Sequence, residues 1–159
     1  KLGWRPKLTI NNAVSSASNV MQLASEGGTN KVTPGSVSIV FLKDPTDPQW
    51  AKDKAMAEYR RIMKQHAPGA NVNDVYHVYG MAAAWTTVEA IRRAGKDLTR
   101  DGLMKVVTGM NVTTNPFLLP GIALKTGPGD RFPIEQMLLQ RWQKSSWKSF
   151  GGLWGYRAS

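Results

Sequence analysis

The 159-residue chain has no cysteine, which excludes a disulfide framework and any thiol chemistry. It has no apolar run approaching the ~18 residues that would suggest a membrane-spanning helix, and no segment with the layout of a signal peptide. Histidine is scarce, with His66 and His77 eleven positions apart. They do not form a helical i, i+4 ligand pair and no cysteine stands beside them, so no metal site is expected. Acidic residues are outnumbered, 11 against 21 Lys and Arg, giving a net charge of +10. Such an excess raises the question of nucleic acid. The basic residues are scattered, however, with Arg60-Arg61 and Arg92-Arg93 the adjacent pairs, each on a presumed helix. A nucleic-acid face calls for a dense basic stripe interleaved with exposed aromatics, so no nucleic-acid partner is expected. The chain opens on Lys1 and not on Met, from which we expect that an upstream segment has been removed.

What is present reads as α/β. "KLTIN" (residues 7–11) is a short strand candidate that feeds the polar turn "NNAVSSAS". "NVMQLAS" is a short helix stopped by Gly27-Gly28. "SVSIVFL" (residues 36–42) alternates and then becomes continuously apolar, as a strand entering a buried sheet does. From Trp50 the period changes to that of a helix, with Trp50, Ala55, Met56, Tyr59, Ile62 and Met63 on one stripe. Asp47 suits the N-cap of that helix and Pro48 its first turn, and the helix should end before Pro68. A second helix begins at an Asp74 cap and carries Val75, Val78, Tyr79, Ala82, Trp85, Val88 and Ile91 until Gly95. Thr99 caps a third helix, slightly weakened by Gly102. The remainder, through "LLPGIALK", "FPIEQMLLQRW" and "WKSFGGLWG", is a strand meander. Three amphipathic helices exceed the sheet available to bury them, so a packing partner is expected to be missing from this chain.

Known catalytic signatures do not occur. There is no Gly-x-Ser-x-Gly elbow, and "GPGD" lacks both the P-loop lysine and the spacing of a dinucleotide loop. No catalytic residue and no cofactor is expected, and the chain is read as binding and not as an enzyme. Asp44 and Asp47 each precede a proline, where turn initiation and capping account for them. Trp50 and Trp85 lie on apolar stripes and are read as core. The turn of residues 11–16 follows a strand, the position at which α/β folds hold ligands, and its Asn and Ser side chains can hydrogen-bond a small polar molecule. Helix capping is the competing role.

"FLKDPTDPQW", the long helical run from "YRRIMKQHAPGANVNDVYHVYG" to "LTRDGLMKVV", and "LLPGIALKTGPGDRFPIEQMLLQRW" together resemble one family. They are similar to the C-terminal part of bacterial extracytoplasmic solute-binding proteins of the branched-chain amino acid ABC transporter type. The resemblance implies part of a two-lobe type I periplasmic binding (Venus-flytrap) fold, with helices on a mainly parallel sheet, incomplete in this chain. It assigns residues 1–42 to the second lobe, 43–48 to a hinge crossing, 49–138 to the second half of the first lobe, and 139–159 to a return into the second lobe. Lys43, Asp44, Pro45 and Arg141 are its hinge residues, and Asn11, Asn12 and Ser15 its ligand contacts.

The implied function is the periplasmic solute-binding component of an ABC importer, which captures a solute between the lobes and delivers it to a permease. The expected partners are that permease and a small solute: a branched-chain or other amino acid, or an aromatic or other organic acid. Some relatives carry an acidic residue for the ligand's ammonium where this chain has Asn11 and Asn12, which opens the organic-acid alternative. The missing N-terminal half, or a second copy, is expected to cover the helix faces. A ligand-sensing domain of a receptor or regulator with the same fold is the rival reading.

Overall fold

Capping side chains set the starts of the three longer helices in the computed structural model, which describes residues 6–13, 17–26, 29 and 31–155. Helix α1 (Ser18–Ala24) precedes strand β1 (Val37–Val40). Helices α2 (Lys54–His66), α3 (Val75–Ala94) and α4 (Arg100–Val107) follow, then strands β2 (Asn111–Val112), β3 (Leu124–Lys125), β4 (Gln136–Trp142) and β5 (Trp147–Gly155). Asp74 accepts from the Tyr76 amide at the start of α3, and the Thr99 hydroxyl accepts from the Gly102 amide at the start of α4. Each cap satisfies an amide that the helix itself cannot.

Helix α2 starts later than the sequence suggests. Asp47 and Pro48 open a single 3-10 turn (Pro48–Trp50), and Asp53, which accepts from the Met56 amide, caps the α-helix proper. Two acidic caps six residues apart thus share the work: one turns the chain, the other begins the helix.

β1, β4 and β5 form one antiparallel sheet in that order, and β2 and β3 form a second small antiparallel pair. The register sets Ser38 of β1 opposite Gln140 of β4, and Gln140 opposite Ser149 of β5. On the other side of β1, residues 9–11 run beside Val37. Val37 N–H donates to the Thr9 carbonyl and Asn11 N–H to the Val37 carbonyl, each at 2.8 Å, closing a parallel bridge at Ile10. The expected "KLTIN" strand is reduced to this bridge.

The main core gathers Met56, Tyr59 and Met63 of α2 and Val78, Ala82 and Ala90 of α3 with Met110, Phe117, Leu118, Ile122 and Leu124. Leu42 joins it from the end of β1. Each large apolar side chain buried there contributes ~1.5–3 kcal/mol. Ala17, Met21 and Trp142 are buried outside that cluster. The chain passes from one group to the other at residues 41–43, which are pinned by main-chain bonds: Lys43 N–H donates to the Phe117 carbonyl and Leu119 N–H to that of Phe41.

Two readings of helix residues are corrected. Val88 and Ile91, placed on the buried stripe of α3 by spacing, are exposed, as are Tyr76 and Tyr79; the covered face is Val78, Ala82 and Ala90. Gly102, expected only to weaken α4, is buried, and a Cβ there would overlap the Asp97 side chain and carbonyl. Its absence of a side chain is a packing requirement.

Candidate functional site

Where β1 ends, its last residues face both α1 and the start of α3, and the gap between them is a cavity of about 450 Å³. Ala13 and Ala17 form one wall, Ile39, Val40, Phe41 and Leu42 the floor, and Val75, Tyr76 and Tyr79 of α3 the opposite wall, with Asp44 and Gln140 the polar groups. A smaller cavity of about 80 Å³ adjoins it and shares Val40, Leu42, Asp44 and Gln140. Its lining is more polar: Ser18, Thr46, Asp47, Gln49, Ser146 and Ser149, beside the rings of Trp50 and Trp147.

Two aspartates tie α1 across this gap, and each works twice. Asp44 Oδ1 accepts from the amide and hydroxyl of Thr46, which shapes the Asp-Pro turn, while its Oδ2 accepts from the Ser18 hydroxyl at 2.5 Å. Asp74 Oδ1 caps α3, while its Oδ2 accepts from the Asn19 side-chain amide at 3.2 Å. Helix α1 has only seven residues, too short to hold itself; its buried Met21 and these two bonds position it.

Lys43 points elsewhere. It is 7% exposed, its ammonium lies 2.7 Å from Asp53 Oδ2, and it sits 5.0 Å from the centre of the Trp50 ring. Burial alone would push the Asp53 carboxyl up, but hydrogen bonds from Lys43 and from the Met56 amide hold it below the usual carboxylate range.

Of the residues singled out in the sequence, Asp44 lines both cavities. Asn11 and Asn12 stand directly before Ala13; their carbonyls accept from the Ser38 hydroxyl at 2.9 and 3.2 Å, and the Asn11 amide donates to the Met21 sulfur. Ser15 lies outside the described residues. The Pro45 carbonyl accepts from Arg60. Arg141 is exposed, with its guanidinium over the Phe150 ring. Strand alternation places its neighbours Gln140 and Trp142 on the opposite, buried side. Gln140 was missed by sequence reasoning, although a glutamine in phase with a core tryptophan on an apolar strand is a legible signal. So was the Tyr76/Tyr79 pair at the opening of a helix.

No known family profile matches the chain, and no curated protein does. Among solved structures, the chain is similar to an ABC transporter permease from the Pseudomonas fluorescens group, at 19% sequence identity and a TM-score of 0.60. The match covers 91% of this chain and 36% of the other, so the chain spans about a third of that structure's length. A likeness at this identity concerns the fold alone, and it is a likeness to a protein of ABC transport.

It also corrects the family resemblance. The matched protein is described as a permease and not as a solute-binding protein, so the identification as a periplasmic solute-binding component of an importer is withdrawn. The physical reason lies in the motif that carried it. In "KDPTDPxW", Asp44 and Asp47 each hold a local turn and Lys43 makes an ion pair ten residues on. Capping and turn chemistry of this kind recurs across folds and does not specify a family. Among the described residues, no helix is long and apolar enough to cross a membrane.

Proposed function

We propose that this chain is a small-molecule-binding part of an ABC-transport protein, and that it binds its ligand without transforming it. The carrying observation is the cavity of about 450 Å³ at the end of β1, within the ~300–1,000 Å³ range of small-molecule sites. Its composition supports the reading: aliphatic and aromatic walls desolvate a ligand, and a few polar groups orient it. The transport half of the proposal draws on the name of the structural neighbour, an ABC transporter permease.

On this reading residues 43–48 are the joint between the α1/β1/β4/β5 side and the helical side, and closure of that joint would narrow the cavity. Residues 11–13 stand at one rim, with Asn11 and Asn12 able to approach a ligand beside Ala13. The exposed side of α3, with Val88 and Ile91, is covered in the whole protein by further polypeptide or by a second copy, since apolar helix faces are rarely left in water.

The test is calorimetric titration with a panel of small aromatic and branched aliphatic molecules against the parent chain and Tyr79→Ser. Tyr79 is exposed yet lines the cavity, so its loss should spare the fold and weaken an aromatic ligand roughly tenfold. A panel without one saturable binder, or a binder indifferent to Tyr79→Ser, would remove the basis for the proposal.

A further inference from the structure

The two cavities meet at Gln140. That residue is 6% exposed, lines both chambers, and its side-chain amide is engaged by no other described residue. An amide carries two donors and a two-lone-pair acceptor, and a buried one ordinarily has partners. Its neighbours in register are Ser38 and Ser149, so a polar strip crosses the sheet beneath an otherwise apolar chamber. Ser38 is committed to the carbonyls of Asn11 and Asn12 and Ser149 is exposed, which leaves Gln140 as the strip's buried open position.

Charge around this position has one sign. The described residues lining the two chambers include Asp44 and Asp47 but no Lys, Arg or His. Lys43, next in sequence to Asp44, is held by Asp53 and the Trp50 ring. The protein's net charge of +10 is therefore not what a bound molecule would meet. Any head seated at Gln140 gives up water; an anion would meet carboxylates and no facing cation, whereas an ammonium would meet countercharge and a neutral amide a hydrogen-bonding partner.

We propose that the two cavities act as one site for an amphipathic small molecule, with its apolar body in the larger chamber and an uncharged or cationic polar head at Gln140, and that carboxylate heads are rejected. This rests on the binding reading above and gives it a ligand class. It also reverses the organic-acid expectation drawn from Asn11 and Asn12.

Three probes with one ring and different heads test it: benzamide, benzylamine and benzoate, each titrated into the full chain near neutral pH and followed by NMR. Benzamide and benzylamine should bind about tenfold or more tighter than benzoate, the size of one satisfied against one unsatisfied buried polar contact. Gln140→Leu should weaken benzamide by a similar factor, and Asp44→Asn should narrow the gap between benzylamine and benzoate. Should Gln140→Leu fail to fold, the Asp44→Asn comparison and the parent's head-group order still decide the matter. Benzoate binding as tightly as benzamide would overturn this inference and leave the binding reading standing. Absence of saturable shifts with all three would overturn both.

Discussion

Lys43 and Asp53 meet at 2.7 Å across the start of α2, with the Trp50 ring against the same ammonium. Asp53 also caps the helix, so Asp53→Asn keeps a capping side chain and removes only the countercharge from a nearly buried lysine. We expect a loss of about 1–3 kcal/mol at neutral pH. The folded carboxyl lies below its ordinary value of 3.8, so the pair stabilises above that pH and its contribution fades as pH falls through the folded value. Urea unfolding of parent and variant at neutral and acid pH checks this: the difference should shrink in acid, and a constant difference would contradict it.

Tyr59 is fully buried, and its hydroxyl donates to the Val72 carbonyl at 2.8 Å. Burial, helped by the nearby Asp74 carboxylate, pushes its phenol up to about 12. A raised acid of this kind stabilises the fold below the unfolded value near 10, and that contribution is lost as pH rises through about 12. Tyr59→Phe should cost about 1–2 kcal/mol at neutral pH and remove an absorbance step near 295 nm at the alkaline end. An absorbance step lost near pH 10 and not near pH 12 would place Tyr59 among freely ionising phenols.

Gly102→Ala should destabilise in spite of alanine's better helix propensity. The propensity gain is at most ~1 kcal/mol, while the new methyl would overlap Asp97, and overpacking costs typically ~1–3 kcal/mol. Thermal unfolding of the variant should show a lower Tm. A rise would mean that the turn before α4 yields easily.

Ser18→Ala removes the tie from α1 to Asp44. Global stability should change little, by ~1 kcal/mol, but amide exchange in residues 18–24 should quicken selectively. Exchange in residues 18–24 unchanged from the parent would show that α1 is held by packing alone.

These contacts also mark what the sequence could reveal. Caps are local, so Asp47, Asp74 and Thr99 were readable from spacing and residue type alone. The start of α2 was misplaced because two aspartates six residues apart both had capping chemistry, and only the backbone decides which begins the longer helix. Val88 and Ile91 have the correct period for α3 but nothing described opposite them; periodicity names a face and not its neighbour. The cavity was illegible because its walls come from residues as distant as Ala13 and Gln140. Asp44 was noted for its turn, and its place in the cavity emerged only with α1 beside it.

The most direct measurement is methyl NMR of the chain during titration with benzamide to millimolar concentration. Binding at the end of β1 predicts saturable shifts at Ile39, Val40, Leu42 and Val75, which line the cavity, and none at Leu103 or Val106 of α4. Shifts that stay linear, or that gather on the exposed side of α3 at Val88 and Ile91, would contradict a ligand site between α1 and α3.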